Sequence, residues 1–450
     1  MKKTLRVISL LVAALLAMTA FAACADSTTE QTTDGSVQTT EDASLASSTE
    51  ATAQAGEHVT LTVLIYVGTE LADELKNAFA PFEEANNCTM DIIISPLDQY
   101  DQKMSTMIAG NTAPDIFWSP EYSTPQYYYD GFAADLSGLM DDSEFDWADF
   151  AKGQQDHYMY DGKLIGVPFS GQPLVLFYNK TLFENAGLKT PTELYNAGEW
   201  TVDAMLDAAE KLADPANDVF GIDLTTGDWA NWDVAMDTVL RWYGGEPWSS
   251  DFSTANINSD AALKGTQAYY DLIFEDKAHP MPGTILDFAA GKLGMVTTWF
   301  SRNAKWAEVD FDWDVVPMPL NENGESTGYG GSAGYMVYSE GPNVDLAIEA
   351  IKFITSKEVM PTLIYVPTRI SGINSDTYRQ KSIDLVSDES YNSCLNEDVL
   401  SVVPVKYPHP QYAQCTQVIQ QYLESMYAQS MTPEEALDAM AAELQPLMLQ

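Results

Sequence analysis

The sequence of 450 residues is short of basic side chains, with 22 Lys and Arg against 66 Asp and Glu. Lys2, Lys3 and Arg6 lie in the first segment, so the chain after residue 23 has 19 basic residues and a net charge of −47. This charge repels phosphate backbones and argues against nucleic acid as a partner. It also disfavours anionic glycans unless the site itself is basic. Such acidity is typical of a soluble exported protein.

Cysteine and histidine are also scarce. The four cysteines are Cys24, Cys88, Cys394 and Cys415, no CxxC occurs, and the four His residues lie far apart. Zinc-site spacing is therefore absent, and we expect no metal and no cofactor. Three cysteines remain after Cys24, an odd number that excludes complete internal pairing. A Cys394–Cys415 disulfide stays open, because the sequence does not give the distance between them.

Long hydrophobic runs are missing after the N-terminus, so no further membrane span is expected. The N-terminus itself has a positive head, an apolar stretch at 7–18 and small residues before Cys24. This pattern predicts a secretory signal over residues 1–23. The end of the segment resembles a bacterial lipobox, which implies lipidation of Cys24, although Phe21 departs from the usual aliphatic residue. The alternative is an ordinary signal with Cys24 as a bystander.

Residues 24–57 have a composition unlike the rest of the chain. After Cys24 they contain 13 Ser or Thr and seven Asp or Glu, with no Lys, Arg or aromatic residue. Such a segment buries too little apolar surface to offset its ordering entropy. We therefore expect a disordered tether between a lipidated Cys24 and the body, and a protein held at the outer face of the bacterial cytoplasmic membrane.

The body from residue 58 onward alternates predicted strands and helices. Residues 58–67 and 90–94 are strand-like, 71–82 and 100–109 have helical spacing, and 115–118 is a short strand. Helices are also predicted over 229–243, 260–274 and 346–354, and the segment 312–320, with its prolines, is typical of a crossover between lobes. The order indicates an α/β fold with mostly parallel sheets.

Ten segments in order resemble the extracellular solute-binding proteins of bacterial ABC importers, in the sugar-binding group that includes maltose-binding protein. These segments are FAPFEEAN, MSTMIAGNTAPDIFW, GFAADLSGLM, YDGKLIGVPF, LFYNKTLFENAGL, TPTELYNAGEWT, FAAGKLGMVTTW, DVVPMP, GGSAGYMVYS and TPEEALDAM. The resemblance implies two α/β lobes, each a mostly parallel sheet with flanking helices, joined by crossover segments. It places lobe 1 at 58–168 plus 318–365 and lobe 2 at 169–317 plus 366–450. It further implies a monomer that holds a carbohydrate between the lobes and delivers it to ABC permease subunits in the membrane.

The candidate ligand-binding residues are aromatic or polar and mostly follow predicted strands. Trp299 ends the strand GKLGMVTTW, and an aromatic ring at such a tip can cover the apolar C–H face of a sugar while polar groups satisfy its hydroxyls. The alternative for each Trp is core packing. Trp229 and Trp232 lie in the polar GDWANW loop. The resemblance implies, for the walls of the site, Tyr66, Glu70, Trp118, Ser119, Glu121, Gln172, Trp299, Ser332, Arg369 and Tyr412.

Enzymatic activity is not expected. GGSAG at 330–334 fits G-x-S-x-G, but an apolar strand follows it, whereas a nucleophile elbow needs a strand before and a helix after. We interpret it instead as a tight glycine turn at the cleft edge. A glycoside hydrolase needs two placed carboxylates, and no motif points to them. Two further classes stay open: a binding protein of the same fold for a polyamine, a peptide or another cation, and a surface adhesin or sensor.

Overall fold

The structure is a computed structural model that describes residues 58–66, 68–224, 232–328, 330–382, 385–400 and 411–448. The predicted signal (1–23), Cys24 and the predicted tether (24–57) lie outside the described residues. So does Trp229.

Ten strands and sixteen helices alternate along this part of the chain, with short 3-10 helices between several of them. The strands are β1 Val59–Ile65, β2 Cys88–Ile94, β3 Ile116–Pro120, β4 Met159–Tyr160, β5 Lys163–Leu164, β6 Val167–Asn179, β7 Phe220–Asp223, β8 Leu293–Trp299, β9 Trp313–Pro317 and β10 Gly330–Val337. The helices are α1 Thr69–Asn86, α2 Leu97–Ala109, α3 Thr124–Tyr129, α4 Lys152–His157, α5 Lys180–Ala186, α6 Pro191–Asn196, α7 Val202–Leu212, α8 Trp232–Arg241, α9 Asp260–Phe274, α10 Val344–Ile354, α11 Ile370–Ile373, α12 Asp376–Arg379, α13 Asp388–Cys394, α14 Glu397–Leu400, α15 Tyr412–Tyr427 and α16 Pro433–Leu444.

The long strand β6 joins two halves of a sheet whose order is β2-β1-β3-β10-β6-β8-β7, with β9 also pairing with β6. Its first half pairs with β10, and its second half, from Leu174 onward, pairs with β8 and β9. The β1–β2, β1–β3 and β7–β8 pairs are parallel, and the pairs made by β6 and β10 are antiparallel. The parallel pairs therefore lie toward the two edges of the sheet, and the antiparallel strands β10 and β6 lie in its middle.

Three clusters of buried side chains fill the body. The first contains Leu61, Phe79 and Ile351 and packs around β1, β3 and β10. The second contains Leu176 and Ile419 and packs around α7, α8, α9, α15 and α16. The third lies on the opposite face of β6, because Phe177 belongs to it while its neighbour Leu176 belongs to the second. The predicted two-lobed α/β fold is confirmed.

Capping side chains mark the first residues of two helices. The Thr201 side chain accepts a hydrogen bond from the Ala204 N–H at the start of α7. Thr432 and Glu435 form a capping box at the start of α16, with Pro433 in the first helical position. These caps satisfy backbone N–H groups that have no partner within the helix.

Two sequence interpretations are corrected. Residues 312–320 are not simply a crossover, because β9 is a sheet strand paired with the second half of β6, and Pro317 stands at its last position. The segment 330–334 is not a tight turn but the start of β10. Its glycines nevertheless allow close approach: a Cβ added to Gly334 would lie 2.4 Å from the Tyr158 ring.

Cys88, Cys394 and Cys415 are all buried, and none forms a disulfide. Within the described ranges no group of three or more His, Cys, Asp or Glu side chains is placed to hold a metal ion. In the same part of the chain, no helix has both the length and the apolar character that crossing a membrane requires.

Gly221→Ala is expected to destabilise the protein. Gly221 lies on β7 under α7, and a Cβ there would lie 1.9 Å from the Ala209 carbonyl oxygen, so the helix must move away from the sheet. We expect a loss of about 3 kcal/mol in the free energy of unfolding, measured by urea denaturation. The matched control is Gly138→Ala, where no atom lies within 4 Å of the added Cβ. Equal unfolding midpoints for the two variants would contradict the packing described.

Candidate functional site

A cavity of about 710 Å³ lies beside the middle of β6. Its lining comes from the ends of β1 and β3, from the start of β10, from the residues at the end of β8 and from the chain at 364–365. The described lining residues are Tyr66, Gly68, Leu71, Leu97, Trp118, Pro120, Glu121, Tyr122, Phe169, Ser170, Gln172, Trp299, Ser301, Arg302, Gly331, Ser332, Ala333, Ile364 and Tyr365. The size is in the range of pockets for small molecules.

An aromatic cluster forms the first-lobe side of the cavity. Trp118 lies in the middle of β3, and its ring centroid is 4.6 Å from that of Phe169, 5.3 Å from Tyr66 and 5.6 Å from Tyr365. The contacts with Tyr66 and Tyr365 are edge-on, which is a favoured arrangement of aromatic quadrupoles. Trp118 is fully buried, so this indole both packs in the lobe core and lines the cavity.

Trp299 lines the cavity from the other lobe. It is the last residue of β8, opposite Leu174 in the β6–β8 ladder, and its side chain is half-buried against the second cluster. A Cβ added to Gly331 would lie 3.2 Å from Cη2 of the indole, so the ring is seated against the backbone of β10. The predicted position of Trp299 at a strand tip is what the structure shows.

Polar groups stand among these rings. Glu121 and Gln172 are half-buried and Ser332 is buried, and all three line the cavity. Among the described residues, Gln172 Oε1 has no hydrogen-bond partner. Burial, followed by the nearby Glu121 carboxylate, raises the pKa of Tyr66 well above its ordinary value, so its hydroxyl stays protonated and able to donate. The cavity therefore offers both hydrogen-bond donors and acceptors.

Six of the predicted site residues thus line one cavity: Tyr66, Trp118, Glu121, Gln172, Trp299 and Ser332. Ser119 does not line it: its hydroxyl is fully buried and lies 2.8 Å from Thr124 Oγ1, and along β3 its side chain faces away from that of Trp118. Tyr412 is not among the described lining residues either, although its ring stacks on Tyr122, which is. Glu70 lies in α1 and Trp232 begins α8, but their side chains lie outside the described part.

Arg369 lies away from the cavity, in the interior of the protein. Its Nε donates to the Thr355 carbonyl at 2.6 Å, and its Nη2 donates to the Phe145 carbonyl at 2.7 Å. Its Nη1 is 3.3 Å from the Asp149 carboxylate, and the guanidinium lies 4.1 Å from the Phe150 ring centroid. Its donors already serve carbonyls and a carboxylate of the fold, which corrects the expectation that it lines a wall.

The other described lining residues escaped the sequence reasoning, among them the large side chains of Tyr122, Phe169, Arg302 and Tyr365. Arg302 comes three residues after Trp299, which ends its strand, and Phe169 ends the segment IGVPF three residues before Gln172. A search of the residues flanking each predicted contact would have found these two. Tyr365 carried no such signal, because it lies between two short helical segments.

A cavity between two lobes is a usual setting for a small-molecule site. The family described as bacterial extracellular solute-binding protein matches residues 68–361, and the chain belongs to this family.

Relatives of known specificity are distant. The diacetylchitobiose binding protein of Streptomyces coelicolor is 26% identical over 322 residues, which cover 67% of this chain and 70% of that protein. The galactooligosaccharide-binding protein of Bacillus subtilis is 23% identical over 327 residues, which cover 70% of this chain and 73% of that protein.

Among solved structures, an ABC substrate-binding protein from Listeria monocytogenes in complex with cycloalternan superposes with a TM-score of 0.73 at 22% identity. The match covers 87% of this chain and 99% of that chain. At this identity the likeness establishes the fold.

The placement of Arg369 predicts a role in stability. Arg369→Ala removes the donor to the carbonyls of Phe145, Asp146 and Thr355 and leaves the Asp149 carboxylate with Ser371 alone. We therefore expect the free energy of unfolding to fall by about 3 kcal/mol. Arg302→Ala is the matched control, because Arg302 is exposed at the cavity and its removal should change the free energy of unfolding by at most about 0.5 kcal/mol. Urea denaturation of both variants measures the difference. Equal stability of the two would show that the buried network contributes little.

Proposed function

We propose that this protein captures a neutral sugar or oligosaccharide in the cavity and delivers it to the permease of an ABC transporter. The observation that carries the proposal is the pair Trp118 and Trp299, which line one cavity from two different hydrophobic clusters. The binding of oligosaccharides by the relatives in Streptomyces coelicolor and Bacillus subtilis, as their names state, supports it.

The lining matches the chemistry of a sugar. The C–H groups on a sugar face are attracted to the negative faces of aromatic rings, and the hydroxyls at its edge need donors and acceptors. Trp299 and Tyr66 supply aromatic rings, and Gln172, with an acceptor oxygen that no described residue satisfies, supplies a group for the hydroxyls. A buried hydroxyl left without a partner would cost about 1–3 kcal/mol, so these polar groups also give specificity.

A cationic solute such as a polyamine or a cationic peptide is the second candidate, because Glu121 lines the cavity and the protein is strongly acidic. Arg302 lines the same cavity and opposes such a ligand by its charge. Hydrolysis of a glycan would need two carboxylates at a defined separation, and Glu121 is the single carboxylate among the lining residues whose side chains are described. The chain is therefore proposed to bind and not to catalyse.

The ligand acts by favouring a closed arrangement of the lobes. Lobe 1 is proposed to comprise 58–168 plus 318–365, and lobe 2 to comprise 169–317 plus 366–450. The first cluster of buried side chains supports the former apart from Phe169, and the second and third support the latter apart from Met318 and Ala151. A ligand shifts this equilibrium only by as much as it binds the closed form better. A ligand that touches Trp118 in one lobe and Trp299 in the other would bind the closed form better, because both contacts form together only when the lobes are close.

Attachment to the membrane is proposed through Cys24. After removal of residues 1–23, a diacylglycerol and an amide-linked acyl chain on Cys24 would anchor the protein at the outer face of the cytoplasmic membrane, because two acyl signals hold firmly where one is marginal. Residues 24–57 would then act as a tether with a reach of roughly 30 Å. This reach would keep the body near a permease. We propose that the body acts as a monomer.

The ligand class is tested by a thermal-shift screen with neutral mono- and oligosaccharides, amino acids and polyamines. A bound sugar at about 100 times its Kd should stabilise the protein by roughly 2.7 kcal/mol. Trp299→Ala should abolish this shift while the variant stays folded, and Trp299→Phe, which keeps an aromatic ring, should retain part of it.

Two results would contradict the proposal. A response to polyamines alone would assign the cavity to cationic solutes. Unfolding of Trp299→Ala, seen by circular dichroism in the absence of ligand, would show that the indole serves the core of the lobe and not a ligand.

Lipidation is tested by Cys24→Ser in the full chain expressed in a bacterial host. The serine hydroxyl cannot form the thioether that holds the lipid, so the protein is expected in the culture medium instead of the membrane fraction, as measured by immunoblot. The control is Cys88→Ser, which removes a buried thiol of the body and leaves Cys24 intact. Membrane retention of Cys24→Ser would rule out this anchor.

A further inference from the structure

Tyr122 and Tyr412 stack on each other near the cavity, although they belong to opposite lobes. Their ring centroids are 5.8 Å apart and the rings are inclined by 19°. Both values are those of an offset stack, in which two nearly parallel aromatic rings are displaced sideways from each other. The pair therefore makes a direct contact between the lobes. This contact is separate from β6, the strand that joins them.

The backbone at Tyr122 is held by lobe 1. Tyr122 lies in the turn between β3 and α3, where the Ser123 N–H donates to the Pro120 carbonyl at 3.0 Å. The Ser123 hydroxyl also donates to the Asp101 carboxylate of α2 at 3.0 Å, and the Tyr127 hydroxyl donates to the same carboxylate at 2.6 Å. The Tyr122 side chain nevertheless packs against the second cluster, which belongs to lobe 2.

Tyr412 is held by lobe 2. It is the first residue of α15, and Cys415 and Ile419, one and two turns later, are fully buried in the second cluster. These side chains fix the position of the helix start, so the Tyr412 ring cannot follow lobe 1 if the lobes separate. The stack can exist only while the lobes are together.

We propose that Tyr412 is a positioning residue that holds the cavity closed through Tyr122. Tyr122 lines the cavity and Tyr412 is not among the described lining residues, so Tyr412 acts on the ligand through its neighbour. The stack favours the closed arrangement even without ligand, and it sets the rates at which ligand enters and leaves. The kinetic part of this inference rests on the proposed sugar-binding function, whereas the contact between the lobes does not.

Small-angle X-ray scattering of the ligand-free protein tests the contact directly. Tyr412→Ala should give a larger radius of gyration than the wild type, because the lobes are no longer held together by the stack. Tyr412→Phe keeps the ring and should match the wild type. The matched control is Tyr195→Ala, since Tyr195 is a 40% exposed tyrosine of α6 in lobe 2. Circular dichroism and thermal melting confirm that each variant is folded.

An unchanged radius of gyration for a folded Tyr412→Ala would overturn the proposal. If Tyr412→Ala does not fold, Tyr122→Leu, which removes the ring from the other side of the stack, gives the same test. Neither measurement needs a ligand, so each decides the role of the stack even if no sugar binds the wild type. Failure of every sugar to bind would refute the proposed function alone.

Stopped-flow binding separates positioning from direct contact, with the sugar that gives the largest thermal shift as the probe. For Tyr412→Ala we expect dissociation to be about threefold to tenfold faster, the equivalent of one aromatic pair, together with faster association into a more open cavity. Tyr412→Phe should restore both rates. Faster dissociation with unchanged association would instead show that Tyr412 contacts the ligand, and would overturn its assignment as a positioning residue.

Discussion

The continuity of β6 is the constraint on which the rest of the structure depends. This strand of 13 residues pairs with β10 in its first half and with β8 and β9 in its second, so one stretch of backbone belongs to both lobes. Phe169 and Gln172 line the cavity from this strand. The position of the cavity follows from this continuity. Side chains of both lobes meet beside β6, and each lobe forms backbone hydrogen bonds with it.

The cavity is built from side chains that also serve the core. Trp118 is fully buried among Phe169, Tyr335 and Tyr365, and yet it lines the cavity. A ring fixed in this way costs little ordering entropy when a ligand arrives, which favours tight binding by preorganisation. Trp299 is positioned by a different means, because it rests on the bare backbone of Gly331. A Cβ at that position would lie 3.2 Å from the indole, so the ring or the strand would have to shift by a few tenths of an ångström.

Sequence reasoning succeeded where short-range chemistry decides the structure. The hydrophobic period predicted the helix at 260–274, which is α9, and the strand ending in Trp299 predicted one wall of the cavity. It failed where contacts distant in sequence decide. The donors of Arg369 are satisfied by Phe145, Asp149 and Thr355, and no local pattern shows that such partners exist. Ser119 is one residue past Trp118 and therefore faces the other side of β3, as alternation along a strand requires.

Those distant contacts also limit how the lobes can move. The chain at 366–369 is tied to the first half of β6, because the Gly171 N–H donates to the Val366 carbonyl at 3.0 Å and the Thr368 hydroxyl donates to the Pro168 carbonyl at 2.6 Å. Arg369 then fixes the same segment to the loop at 145–149. A rotation of the lobes that left these bonds intact would have to bend the chain beyond them, toward the second half of β6. The buried guanidinium therefore belongs to the part of the structure that such a rotation leaves unchanged, and it does so without touching the cavity.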